Sequence, residues 1–247
     1  VPTDALAGAW LGELLAATGD ATIVCLQPGL EVKTRLLALA AETRIVFGVI
    51  GMMAFAAPME GSDDPRETAT PPSVAYLLPP GNPTRISGTS ERRALAVQSA
   101  LRAGGAPVAL ARDASRDLVF GSALLLPQVA ALEIAGWSFR EYRESNAVEL
   151  GAAATREAVR IASALAGVDP PAASYLVLPP LLRLGSRLAR LAAPLDVESF
   201  LRVHFTKVGP QTRLLLEEWR NAAKRLDLAH EGIDALLEEL DGAHAQS

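Results

Sequence analysis

The chain has 247 residues, enough for one large domain or two modest ones, and is 50% hydrophobic, 21% charged and only 5% aromatic. That composition supports a core of Ala, Leu and Val rather than of rings, and it excludes a disordered chain. A net charge of −5 argues against a general nucleic-acid binder.

In chain order, the first half alternates helix and strand signals. The segment after Thr3 or Asp4 keeps Leu6, Trp10 and Leu14 on one stripe and ends at Gly19, which predicts a helix. "TIVCLQ" (22–27) is apolar and β-branched and closes at Pro28-Gly29, so a strand is expected. "EVKTRLLALAAE" reads as a helix, and 45–59 as one bent strand or two strands joined at Gly51. The acidic stretch 59–73 has loop formers and no periodicity. "VAYLLPPGNPTRISG" predicts a strand, a Pro-Gly-Asn-Pro turn and a short strand. A capped helix ending at Gly104-Gly105 and a strand over 106–112 complete this half.

Beyond Arg112 no further strand is expected. "DLVFGSALLLPQVAALEIAG" is apolar nearly all round, which predicts a buried helix bent near Pro127. Helices are expected at 147–166, 171–193, 196–206, 211–226 and 230–240. The change of grammar divides the chain into an α/β portion, 1–112, and an all-α portion, 113–247. No solenoid-type repeat is present.

Cys25 stands alone, so no intrachain disulfide can form; inside an apolar run it reads as a buried small hydrophobe. The first residues carry no basic n-region, and charge-free stretches such as 45–59 fall short of the ~20 residues of a membrane helix. A soluble, cytoplasmic chain with neither membrane nor nucleic-acid partner is the expectation. Arg183, Arg187 and Arg190 follow helical spacing and read as a solvated face, with membrane or anion binding the alternative.

No dinucleotide glycine fingerprint, P-loop, nucleophile elbow or metalloprotease motif occurs, and His204, His230 and His244 lack metal-spaced partners. Gln27 and Gly29 follow a strand end, where a parallel sheet presents its ligand crevice. Glu133 lies on an apolar helix and is either paired or a raised-pKa acid, pairing being the plainer reading. Glu217 and Glu218 read as solvated, with one in reach of a ligand ribose. Lys207 falls in a break between helices beside Phe205 and Val208. Partial desolvation there would let it protonate a carbonyl oxygen, whereas a surface lysine near a helix end is the plainer alternative.

"TIVCLQPG", "RIVFGVIGMM", "PGNPTRISG" before a helix, "DLVFGSALLLPQVAAL" and "KVGPQT", taken in this order, resemble the ketopantoate reductase family. The resemblance covers most of the chain. It implies a partial Rossmann-type sheet domain binding NADP, followed by a helical domain of the 6-phosphogluconate-dehydrogenase type. It further implies a small-molecule carbonyl substrate, a 2-keto acid above all, and a homodimer. The segment "VPT" resembles the end of an earlier family strand, so the chain would begin inside that fold, with roughly 70 residues before it. Without the glycine fingerprint, the chain alone should bind dinucleotide poorly.

Departures are equally specific. Pro28 stands where the family has Asn, while Leu118 and Ser122 stand where it has its catalytic Lys and an Asn. Lys207 falls at a family serine, and Glu218 lies within a residue of the family's ribose-binding Glu. Two functions are therefore carried forward. One is an NADP-dependent reductase with Lys207 as proton donor, Thr3, Gln27 and Gly29 on the nicotinamide side, and Glu218 on the ribose. The other is a non-catalytic binding or dimerisation module.

Overall fold

The computed structural model describes residues 8–59, 72–192, 195–207 and 209–245. In chain order the elements are α1 (Trp10–Ala17), β1 (Ile23–Cys25), α2 (Val32–Leu39), β2 (Ile45–Val49), β3 (Met53–Ala57), β4 (Ser73–Leu77), β5 (Thr84–Ser87), α3 (Glu91–Ala103) and β6 (Val108–Leu110). Helices follow: α4 (Ala114–Ile134), α5 (Phe139–Glu144), α6 (Ala147–Ala166), α7 (Pro179–Ala192), α8 (Val197–Thr206), α9 (Gly209–Leu226) and α10 (Glu231–Ala245). The chain divides into two compact units, Val1–Ala54 with Tyr76–Val119, and Phe55–Ala75 with Phe120–Ser247.

The first unit is built on a four-stranded sheet in the order β1-β2-β5-β6. β1 and β2 are parallel, with Ile23 opposite Ile45, but β2 and β5 are antiparallel, and β5 and β6 are again parallel. The sheet is thus mixed. β2 is apolar on both faces because both are covered. Ile45 and Phe47 pack with Leu11, Leu15, Val32 and Leu36 from α1 and α2, while Val46 packs with Ile86, Val108 and the α3 residues Val97 and Leu101. Alternate residues of one strand therefore serve opposite layers.

The stretch 45–59 forms two strands joined at Gly51, and glycine is required there by close approach. A Cβ on Gly51 would lie 2.3 Å from the Asn82 carbonyl oxygen and 2.6 Å from the Thr84 nitrogen. The Gly51 N–H donates to Thr84 Oγ1 at 3.1 Å, which fastens the end of β2 to the start of β5. The strands on either side of the Pro-Gly-Asn-Pro turn do not pair with each other: β4 pairs with β3 in a separate two-stranded sheet, and β5 joins the main one.

The second unit is helical and rich in small residues. α6 buries Val148, Ala152, Thr155, Ala158, Val159 and Ala162 along one side, and ends at Gly167 with φ 62°. Close helix approach follows: a Cβ on Gly151 would lie 2.8 Å from that of Ala131, and one on Gly232 would lie 3.0 Å from that of Ala153. Glu157 of α6 satisfies the start of α10, its two oxygens accepting from the Gly232 and Ile233 N–H groups, each at 2.9 Å. Trp219, Leu215, Leu216, Ile233, Leu236 and Leu240 are fully buried.

Two helical expectations are corrected. The segment expected as one helix over 171–193 is a short 3-10 turn over 172–176, then α7, because Pro179-Pro180 suits a first helical turn and not an interior. α4 is long and apolar enough to cross a membrane, contrary to the expectation drawn from charge-free stretches. Its Ala123, Leu126, Val129, Ala130 and Ala131 are buried in the helical unit, the position of a core helix. It continues through Pro127 as one element.

Candidate active site

In the sheet unit, the β1 strand end brings Gln27 and Gly29 together. The β1–β2 pair is parallel, but the sheet as a whole is mixed, so at this edge the condition of a parallel sheet holds for this pair alone. Gly29 is buried with φ 137°, a backbone region that favours glycine, so the Pro28-Gly29 bend depends on that residue. Gln27 is half-buried and engaged in an interaction. Its N–H group faces the Cys25 sulfur, but burial dominates and pushes the Cys25 thiol up, so this cysteine is a packed, unreactive side chain. Thr3 lies outside the described residues.

In the helical unit, Lys207 caps the C-terminus of α8. Its side chain is exposed, and the partial desolvation expected of it is not found. The setting is aromatic nonetheless. His204 stacks on Phe200 at 5.4 Å and meets Phe205 edge-on at 4.9 Å, and Phe205 stacks on Trp137 at 6.4 Å. Partial burial among these rings, and then the Lys207 ammonium charge, hold the His204 imidazole below its usual range.

Glu218 is 6% exposed, which corrects the solvated placement expected for it. The reason is helical spacing: Leu215, Glu218, Trp219 and Ala222 share the inner face of α9. Glu217, one position earlier, is partly exposed and lies 3.7 Å from Arg213. Glu133 is partly buried and has a partner. Leu118 and Ser122 lie one turn apart on α4; the Ser122 hydroxyl is buried and has no hydrogen-bond partner among the described residues.

Two polar groups that the sequence reading did not single out order these elements. Thr84, 6% exposed, receives the Gly51 N–H; Asp113 caps α4, its Oδ1 accepting from the Arg116 N–H at 3.0 Å and the Ser115 hydroxyl at 2.7 Å. The Asp113 signal was present as an Asp before an apolar run.

No protein-family model matches the chain, and no curated protein does. Solved structures do match. A ketopantoate reductase from Ralstonia eutropha JMP134 superposes over 100% of this chain and 74% of its own, with TM-score 0.69 and 16% identity. D-mandelate dehydrogenase in complex with NADH covers 96% of this chain and 75% of its own, with TM-score 0.67 and 12% identity. A dimeric ketopantoate reductase from Staphylococcus aureus covers 91% and 68%, with TM-score 0.57 and 9% identity. Identities this low speak of fold. The chain has a ketopantoate-reductase-like fold, a small Rossmann-type sheet portion followed by a helix-rich one.

Proposed function

We propose that the chain is an NADP-dependent oxidoreductase of the ketopantoate reductase type, reducing a 2-keto acid or a related carbonyl. The observation that carries this is the superposition of the entire chain on a ketopantoate reductase at TM-score 0.69. A dehydrogenase of a 2-hydroxy acid solved with NADH, similar over 96% of the chain, points to the same chemistry on a nicotinamide cofactor.

NADPH would supply the hydride. Of the residues present, Gln27 and Gly29 fit the nicotinamide side: the bend keeps backbone bare of a side chain at Gly29, and Gln27 offers an amide. Thr3 is assigned to the same side. Glu218 is assigned the ribose hydroxyls, which a carboxylate can accept from. Lys207 is assigned the proton taken up by the carbonyl oxygen, a role for which an ammonium needs reach and water exclusion once substrate is bound.

A second reading has its own support. Leu118 and Ser122 replace the lysine and asparagine that the resemblance calls for, which suits a non-catalytic binding or dimerisation module. Loss of NADPH absorbance, followed on the whole gene product with a panel of 2-keto acids, separates the two. Turnover that is faster with NADPH than with NADH supports the reductase. Stoichiometric folding without turnover or cofactor binding would leave the module.

A further inference from the structure

The helical unit contains a cavity of about 530 Å³ lined by Leu125, Val129, Leu132, Leu181, Leu182 and Leu201, with Gly185 in its α7 wall. That size falls within the range of small-molecule pockets, ~300–1,000 Å³. Its two large polar side chains are already satisfied. The Tyr142 hydroxyl donates to Gln128 Oε1 at 2.6 Å, Gln128 Nε2 donates to Thr155 Oγ1 at 2.7 Å, and Thr155 donates to the Gly151 carbonyl at 2.7 Å. These side chains are engaged with protein partners, so the chamber offers a ligand mainly apolar surface.

A second chamber adjoins it. Phe139 and Ser186 line both, and the second adds Ser138, Arg140, Arg143, Arg187 and Glu198. Its carboxylate is occupied: Glu198 Oε1 accepts the Phe139 N–H at 2.6 Å, at the start of α5. Arg140 pairs with Glu141 at 2.8 Å, and Arg183 of the arginine stripe pairs with Glu149. Arg143 and Arg187 have no ion pair among the described residues, and Arg143 is half-buried. Two such arginines, lining a cavity that shares Phe139 and Ser186 with an apolar one, match an oxyanion bearing a hydrocarbon chain. Of the stripe expected as a solvated face, Arg183 is half-buried and Arg187 is exposed.

We propose that this double chamber binds a medium-chain monocarboxylate, its chain among the leucines and its carboxylate between Arg143 and Arg187. The site lies wholly in the helical unit and is independent of the reductase reading, since its test uses no nicotinamide.

Isothermal titration of the whole protein with octanoate is expected to show one site, with octanol and acetate each at least tenfold weaker. Octyl phosphate distinguishes a carboxylate site from a general oxyanion site, and tighter binding of the phosphate would overturn the carboxylate assignment. Gly185→Leu fills the cavity: a Cβ there meets nothing within 4 Å, and leucine favours a helix more than glycine. Its thermal melt should be unchanged or higher and octanoate binding lost. Paired Arg143→Gln and Arg187→Gln substitutions should weaken octanoate about tenfold to a hundredfold while leaving octanol unaffected. Octanoate binding that survives Gly185→Leu, or no binding at all by the folded wild-type protein, would overturn the proposal.

Discussion

The two units reach close packing by different means. In the sheet unit, short strands of three to five residues are locked by backbone approach, most tightly where Gly51 lies against residues 82–84. In the helical unit, alanine-rich faces of α6 bring helices together, and large side chains such as Trp219 and Leu240 fill what remains. The sheet unit is therefore sensitive chiefly to added atoms, and the helical unit both to atoms added at Gly151 or Gly232 and to the removal of large side chains.

That contrast can be broken in order of size. Trp219→Ala removes the largest fully buried side chain and should destabilise the protein by about 4 kcal/mol in a urea melt. A loss below about 1 kcal/mol would show that the helical core closes over the gap. Gly51→Ala adds one carbon where there is no room and should destabilise by about 2–3 kcal/mol. Neutral behaviour there would remove the distinction between the units.

A smaller effect belongs to Asp113. Burial alone would raise its carboxyl, but the Ser115 hydroxyl, the Arg116 N–H and the Lys33 and Arg116 charges together hold it below the usual range. With a depressed folded pKa, its stabilisation is present above the ordinary carboxylate value and lost as pH falls through the folded one. Asp113→Ala should therefore lower stability by about 1 kcal/mol at neutral pH, and the difference should vanish in acid. A difference that persists in acid would assign the effect to packing.

The smallest expected change is spectroscopic. Lys207→Met removes the second of the two causes that depress His204, so an NMR titration should find the imidazole pKa raised part of the way towards its ordinary value of 6.5. No movement would mean that the ammonium does not act on that ring.

Much of this architecture was legible in the sequence because punctuation and periodicity agreed. α6 over Ala147–Ala166 matches its expected span, and Gly51 divided 45–59 into two strands. Other features were hidden. α5 was not expected, since six mostly charged residues carry no period, although Ser138 and Glu141 three positions on form an N-terminal signature that the Ser138 side chain uses. Strand partners were invisible because β4 could pair with either neighbour without changing its pattern. The burial of Glu218 depends on a single helical position that its twin Glu217 lacks. Candidate site residues drawn from the family order were harder still: at 16% identity or below, fold persists while side-chain roles move.

The most direct test is turnover by the Lys207→Met variant of the whole gene product, with NADPH and the best 2-keto acid from the panel. The reductase account predicts a fall in kcat of about a hundredfold to ten-thousandfold with the fold intact. An unchanged kcat in a properly folded variant would contradict it.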